Sequence, residues 1–253
     1  GTQDGPVDPE DPFNGANDYL DIVLGDVFTG EAIPVPDDIA RGDTADLPQD
    51  ALEDWSNDNN VFQFVRVEDI AYDPDQPNVL YFADTGNSRI TPSATTGRLW
   101  RPGTAQAGSV TSAGRIFRMV LNEEDPTVID EFSIYLEASS IGMRSPDNLD
   151  VGHDSLMVQE DTSSFSKIWM NPLGTTTWTH VATATQQPAE TSGIVDVSRW
   201  FGDGWWALTI QSHVNLPGAV PGVVYQGPGP NNGVVHTQRR EDGQLVLMYV
   251  PGS

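Results

Sequence analysis

From Val61 onward, short apolar runs alternate with turn residues, and this pattern predicts β-strands rather than helices. Gly, Pro, Asn and Asp separate the runs, and almost none of the runs repeats with the period of a helix. The chain is therefore expected to be all-β beyond residue 60. The predicted strands are 65–72, 79–83, 115–120, 128–135, 148–151, 155–159, 167–170, 178–184, 193–200, 205–210 and 244–250.

The first 60 residues carry a different pattern, which predicts an acidic N-terminal arm followed by an irregular segment. Residues 1–17 are rich in Asp, Pro and Gly and contain few apolar side chains, so a solvated arm is expected. One short helix is predicted over 48–55, where Leu52 and Trp55 can share a face.

The strands fall into sets of about four, a pattern that suggests the repeated blades of a propeller. One set covers 65–135, the next covers 148–184, and a third begins at 193. A Gly-, Thr- and Ser-rich insertion over 85–114 is predicted to be a surface loop. The repeats predict a β-propeller over 61–253, with a β-sandwich as the alternative. Because three blades do not close a ring, we expect this chain to supply about half of the blades. Another chain, or another fragment of the same precursor, would supply the rest.

The balance of charge narrows the range of partners. Among 253 residues, 12 Lys and Arg stand against 37 Asp and Glu, which gives a formal net charge of −25. That excess disfavours binding to nucleic acid or to an anionic membrane, and it attracts divalent cations. No apolar run is long enough to span a membrane. The acidic, lysine-poor composition is typical of secreted or salt-adapted proteins, so we expect a secreted protein, extracellular or periplasmic.

Some chemistries are excluded by what the sequence lacks. The chain has no cysteine and therefore no disulfide, no thiolate metal site and no cysteine nucleophile. It contains neither a Gly-x-Ser-x-Gly elbow nor a His-Glu-x-x-His motif. The sequence opens at Gly1 without Met, so we expect either a removed leader or a piece of a longer protein.

Polar clusters lie next to apolar strands at comparable places in successive sets. In a propeller, equivalent loops of neighbouring blades meet at one end of the central channel, so these side chains are expected to converge. Carboxylate and amide oxygens suit Ca²⁺, and a site that also contains His admits iron or manganese. The candidates are Arg66, Glu68, Arg144, Asp147, Asn148, Glu160, Glu190 and His213.

Each candidate also has a simpler structural interpretation. Glu68 and Glu160 abut apolar runs, where an unpaired charge is costly, so metal binding and ordinary solvation both stay open for them. Asp147 and Asn148 follow a proline, and a turn with side-chain hydrogen bonds competes with ligand binding there.

The remaining candidates have structural alternatives of the same kind. Glu190 is expected to be exposed, His213 is more often a structural histidine than a ligand, and Arg66 and Arg144 are expected at the surface. The segment 84–86 also has the composition of a tight turn.

Six short motifs follow one another in a fixed order along residues 61–215. They are RVEDI at 66–70, YFADT at 81–85, GRIFR at 114–118, SPDNL at 145–149, QED at 159–161 and GWW at 204–206. As an ordered set, these motifs resemble those of the PhoX-type alkaline phosphatases and their secreted bacterial relatives of unassigned activity.

This resemblance implies a six-bladed β-propeller whose channel holds a cluster of calcium and iron. It also implies a metal-dependent phosphoesterase that hydrolyses phosphate monoesters with a metal-bound phosphate and an oxo or water nucleophile. The cofactors implied are Ca²⁺ and Fe³⁺, and the iron centre of that family uses a cysteine ligand, which this chain does not contain. The metal ligands implied, in order of preference, are Glu68, Glu160, Asp147, Asn148, Glu190 and His213.

Phosphate esters or other small anions are the expected substrates, and Arg66 or Arg144 is expected to orient the phosphate. The alternative class is a non-catalytic extracellular propeller, in which calcium is structural and the acidic surface serves assembly or salt tolerance. A third possibility is another calcium-dependent propeller hydrolase, of the phytase-like or lactonase-like kind.

Overall fold

The computed structural model describes most of the chain outside the first 17 residues. The predicted N-terminal arm and His213 lie outside the described residues. The described ranges are 18–43, 48–86, 90–92, 99–100, 111–162, 165–184, 189–212, 224–225, 236–237 and 244–253.

Helices are few and short in the described residues. The helix predicted over 48–55 is confirmed and continues to Asp58. No helix in the described ranges is long and apolar enough to cross a membrane. The helices are α1 (Asp18–Asp21), α2 (Asp37–Arg41), α3 (Pro48–Asp58), a 3₁₀ helix (Ala138–Ile141) and α4 (Ser198–Phe201).

Strands are the commonest element of the described chain. In order they are β1 (Phe28–Glu31), β2 (Val67–Tyr72), β3 (Val79–Asp84), β4 (Thr91–Pro92), β5 (Leu99–Trp100), β6 (Arg115–Leu121), β7 (Val128–Glu137), β8 (Pro146–Val151), β9 (Ser155–Glu160), β10 (Lys167–Pro172), β11 (Thr179–Thr183), β12 (Ala189–Asp196), β13 (Trp205–Ser212), β14 (Val224–Tyr225), β15 (His236–Thr237) and β16 (Gln244–Tyr249).

Three antiparallel sheets contain most of these strands, and none of the three closes on itself. The first sheet has the order β1-β7-β6-β3-β2, the second β11-β10-β9-β8 and the third β12-β13-β16. Two short pairs, β4 with β5 and β14 with β15, complete the described pairing. The predicted all-β class is confirmed.

The second sheet is a meander, the third runs β12-β13-β16, and the first is the meander β2-β3-β6-β7 with β1 added at its edge. We call β2, β8 and β12 the first strands of the three meanders, and the sheets meet along these strands. β8, the first strand of the second sheet, contacts both β2 and β12, the first strands of its neighbours. The register pairs Val67 with Asp84 and Pro146 with Glu160, so each first strand begins where the second strand of its sheet ends. We call this end of the three sheets the mouth. It lies where β2, β8 and β12 begin and where β3, β9 and β13 end.

The sheets are stacked face to face, and alternation along β9 explains why. Leu156 and Val158 belong to one buried cluster with Tyr81 of the first sheet, whereas Met157 belongs to another with Leu208 of the third. Neighbouring residues of a strand point to opposite faces, and every residue of β9 is buried. The second sheet is therefore covered on both faces.

The first sheet uses its other face to build an aromatic cluster with the N-terminal segment. Tyr19 and Ile22 pack there with Phe82, Phe117 and Phe132. β1 also pairs with β7 at the edge of this sheet. The sequence pattern predicted no strand before residue 61, because four residues of weak alternation carry little signal.

Two predicted features differ from the structure. The strand predicted over 193–200 is wrong beyond Asp196, because the chain turns at Val197 into α4. The amides of Trp200 and Phe201 both donate to the Val197 carbonyl, which closes this helical turn. The insertion over 85–114 is not wholly a surface loop, since Gly114 and Thr85 are buried.

Candidate functional site at the mouth

Three carboxylates lie at the mouth, and the charges of two of them act on the third. Glu68 lies in β2, Asp147 lies in β8, and Asp161 follows directly after β9. Their positions follow from the meander topology, because the start of one strand and the end of the next meet at the same edge. Glu68 and Asp161 are near enough for their charges to act on Asp147.

Asp147 has the most perturbed carboxyl of this group. Partial burial is the largest cause, followed by the charges of Glu68 and Asp161, and together they raise the pKa of Asp147 to about 6. Arg66 opposes this shift and Asp69 adds to it. Protons therefore compete for this carboxylate near neutral pH, as a bound cation would.

Arg66 is the cation whose charge acts on Asp147. Its Nη2 lies 2.8 Å from Oε1 of Glu68, and both side chains are about one-third exposed, at 38% and 33%. The guanidinium has five N–H donors, so one contact with Glu68 leaves others to bind an oxyanion. The sequence-predicted pair of Arg66 and Glu68 is thus brought together beside Asp147.

Glu160 lies in a different environment. Its side chain is 2% exposed at the end of β9, and both carboxylate oxygens accept hydrogen bonds. Oε1 accepts from the Arg144 backbone N–H at 3.1 Å and from Trp169 Nε1 at 3.0 Å, and Oε2 accepts from the Lys167 backbone N–H at 3.3 Å. These donors satisfy the buried charge and hold the chain that leads into β8.

Asn148 connects the second sheet to the third. Its Oδ1 accepts from Ser192 Oγ at 2.9 Å and from the Gly193 N–H at 3.1 Å. Its Nδ2 lies 3.4 Å from Oδ2 of Asp69, which also accepts from the Leu149 N–H at 3.1 Å. Asn148 and Asp69 therefore link the first strands of all three sheets.

The other candidates are Arg144, Glu190 and His213. Arg144 is exposed and precedes β8, with its backbone fixed by Glu160. Glu190 lies in β12 opposite Gln211. His213 falls outside the described residues, so its predicted role stays a prediction.

Two roles at the mouth were missed by sequence reasoning. Asp161 was grouped with Glu160 without a role of its own, and Asp69 was not separated from Glu68. The available signal was that Asp69 and Asn148 occupy equivalent positions. Asp69 precedes the apolar Ile70 in β2, and Asn148 precedes the apolar Leu149 in β8. Comparing the two strands therefore predicts a polar link that repeats from sheet to sheet, which neither motif predicts alone.

The ligand set implied by the resemblance is not gathered as a whole. No three His, Asp or Glu side chains of the described ranges are placed to hold a metal ion. The donor chemistry of Glu68, Asp147 and Asp161 suits Ca²⁺, because carboxylate oxygens are its preferred ligands and the crowded charges would be relieved. It does not match iron, for which the chain offers no cysteine and this cluster no histidine.

Comparison with known proteins adds no family assignment. No family model matches the chain, and neither a curated protein nor a solved structure shows a significant similarity to it.

Proposed function

We propose that the three sheets are consecutive blades of a β-propeller and that the mouth lies at one end of its channel. This chain would supply about half of a six-bladed ring, and another chain or fragment the rest. The stacking of meanders through neighbouring first strands supports this arrangement. A two-layer sandwich is less favoured, because the second sheet packs on both of its faces.

The exposed face of the third sheet also supports an incomplete stack. Leu245, Leu247 and Tyr249 alternate along β16 and are 79%, 47% and 55% exposed. The equivalent face of the second sheet is covered by the third. A further sheet packed on this side would bury the same kind of apolar surface.

We further propose that the protein is a secreted, metal-dependent phosphoesterase that hydrolyses phosphate monoesters at the mouth. The observation that carries this proposal is the crowding of Asp147 by Glu68 and Asp161 beside the guanidinium of Arg66. The repelling carboxylates would be stabilised by a bound metal ion, and the neighbouring Arg66 guanidinium can bind the oxygens of a phosphate. Together they suit a site that binds a metal ion and a phosphate.

The chain's own residues would divide the work. Glu68, Asp147 and Asp161 are not gathered into a ligand set, so in this proposal their side chains would have to move together to hold Ca²⁺ through their carboxylate oxygens. When bound, the ion would neutralise charge on the phosphoryl group and lower the pKa of an attacking water. Arg66 would use its remaining N–H donors to orient the phosphoryl oxygens, and Arg144 would approach from the start of the second sheet.

Hydrolysis of p-nitrophenyl phosphate with and without added Ca²⁺ tests this proposal. We expect turnover that a chelator removes, and we expect Asp147→Asn to lose at least about tenfold in kcat/KM. Asp75→Asn is the matched control, because it makes the same chemical change at an exposed acid at the other end of the sheets. Equal activity of the two variants would contradict the assignment of the mouth.

A non-catalytic, calcium-binding role is the second candidate, and the links between first strands favour it. Asp69 and Asn148 use their side-chain oxygens to accept hydrogen bonds from neighbouring sheets. A calcium ion at the mouth would add a further link between the same sheets. Calcium binding by calorimetry without hydrolysis, together with a large fall in thermal stability on chelation, would support this candidate over the enzyme.

A further inference from the structure

Asp84 and Thr85 end β3 directly at the mouth, although neither belongs to the proposed ligand set. Asp84 is fully buried, and its Oδ2 accepts from the N–H groups of Val65 at 2.7 Å and Arg66 at 3.1 Å. Its Oδ1 accepts from the Gly86 N–H at 2.9 Å. The backbone that carries Arg66 is therefore held by a buried carboxylate on the neighbouring strand.

Thr85 makes hydrogen bonds to both the first and the second sheet at the mouth. Its N–H donates to the carbonyl oxygen of Arg66 at 2.9 Å. Its hydroxyl, which is buried, donates to the carbonyl oxygen of Pro146 at 2.8 Å. That carbonyl belongs to the peptide group that carries the N–H of Asp147, so the hydroxyl fixes the peptide plane from which Asp147 extends.

The surroundings leave this dipeptide little room to move. A Cβ on Gly114 would overlap both the Pro146 ring and the carbonyl oxygen of Asp84. A Cβ on Gly86 would lie 2.6 Å from the backbone nitrogen of Gly114. Both glycines have positive φ values, +96° and +77°, which other residues adopt at a cost. The turn is therefore packed directly against the start of β8.

We infer that Asp84 and Thr85 are positioning residues of the mouth, which set the placement of Arg66 in the first sheet relative to Asp147 in the second. This inference rests on the proposed function, since it assigns these two residues to that site. The partners of both side chains are backbone groups, so neither is assigned as a ligand of the ion or of the phosphoryl group. Misplacement of reacting groups by a fraction of an ångström is costly in catalysis, so loss of one hydrogen bond here has an effect beyond stability.

Thr85→Val gives the sharpest test, because it removes the hydroxyl while keeping the shape of the side chain. Thr191→Val is the matched control, since Thr191 is 3% exposed and its hydroxyl lies 3.3 Å from Ser166 Oγ, between the second and third sheets. Thr85→Ser restores the donor. Each variant is assayed for kcat and KM with p-nitrophenyl phosphate, for Ca²⁺ affinity by calorimetry, and for thermal stability.

We expect Thr85→Val to lose about tenfold in kcat and about tenfold in Ca²⁺ affinity, because the peptide plane of Asp147 is released. Thr85→Ser stays within about twofold of the parent protein, and Thr191→Val loses a similar amount of stability with unchanged kcat and affinity.

The possible failures are distinguishable. If the parent protein is active and binds Ca²⁺ but Thr85→Val behaves like Thr191→Val, the positioning role is overturned and the proposed function stands. If the parent protein neither hydrolyses the substrate nor binds Ca²⁺, the proposed function fails, and the inference fails with it. If it binds Ca²⁺ without hydrolysis, the affinities of the Thr85 variants decide the positioning role by themselves.

Discussion

The two ends of the stacked sheets offer acidic side chains with different tasks. At the end away from the mouth, which we call the turn end, Asp73 accepts from the N–H groups of Asp75 and Gln76, two and three residues further on. At the mouth, Asp69 accepts from the N–H of Leu149, 80 residues away. Asp73 therefore shapes a single loop, whereas Asp69 holds two sheets together. The turn end also has a link between sheets, but it is the exposed contact of Asp75 with His153.

This difference teaches that burial and partner, rather than residue type, decide what a carboxylate does in this chain. Asp125 sits in an exposed turn and receives the hydroxyl and the N–H of Thr127. Glu160 is buried and receives three N–H groups, one from the segment before β8 and two from β10. Asp147 lies between these extremes, because it is half-buried and the negative charges of neighbouring acids raise its pKa. Four substitutions test whether the contribution of such polar contacts to stability rises with burial.

Glu160→Gln is expected to have the largest effect on stability. One carboxylate oxygen becomes an NH₂ group that must face a backbone or indole N–H, and we expect the free energy of unfolding to fall by about 2–3 kcal/mol. Denaturant unfolding measures this loss. Glu68→Gln is the matched control, because the same change at a partly exposed ion pair costs less than about 0.5 kcal/mol. Equal losses would remove the distinction between the two glutamates.

Asp147→Asn is expected to stabilise the protein at neutral pH. The pKa of Asp147 is raised from 3.8 to about 6, so the folded state holds its proton more tightly than the unfolded state. The free energy of unfolding therefore falls as pH rises between these values and stays lower above them. For a half-exposed group we expect a gain of about 1 kcal/mol at pH 8 and none at pH 3.

Unfolding curves of Asp147→Asn and the parent protein across this pH range measure the effect. A variant that is less stable than the parent at pH 8 would mean that the ionised carboxylate is favoured by its surroundings. Added Ca²⁺ should narrow the difference by stabilising the parent protein alone.

His153→Gln tests the turn end, where a smaller effect is expected. His153 Nδ1 lies 3.0 Å from Asp75, and this contact raises the pKa of His153 above its ordinary value of 6.5. The stabilising contribution is fully present below pH 6.5 and is lost as pH rises through the folded-state pKa. Because both side chains are more than half exposed, we expect only a few tenths of a kcal/mol.

Thr127→Val is expected to give the smallest effect, visible only as a titration shift. The hydroxyl and N–H of Thr127 lower the pKa of Asp125 below its ordinary value of 3.8. The stability that this carboxylate contributes is present above that value and is lost as pH falls through the folded-state pKa. NMR titration of the variant should return the Asp125 pKa toward 3.8, while that of Asp147 stays where it is.

The sequence predicted the strands well because alternation is a local signal. The runs at 79–83 and 155–159 became β3 and β9 almost without change, and both are buried on their two faces. The turn at 84–86 also followed from its composition. The strand predicted over 193–200 ended early, because its continuation depends on the turn that Val197 makes with Trp205, which no local pattern encodes.

The candidate site was harder to predict, because its geometry depends on residues far apart in the chain. The sequence placed Arg66, Glu68 and Asp147 near one end of the sheets, and the structure brings them together. It also ranked Glu160 with Glu68, since both follow or precede apolar runs. Only the packed structure distinguishes them, because the donors to Glu160 include an indole nine residues away on the neighbouring strand.

The pairing of β1 with β7 has a consequence for the order in which the chain folds. Each meander is built from neighbours in sequence, so it can form soon after its residues leave the ribosome. β1 must instead wait for a partner about 100 residues downstream, since Phe28 aligns with Phe132. Until then the aromatic residues that Tyr19 and Ile22 later cover stay in water. The nascent chain therefore carries β1, Tyr19 and Ile22 without their partners until β7 has been synthesised, and chaperone capture should be greatest before that length is reached.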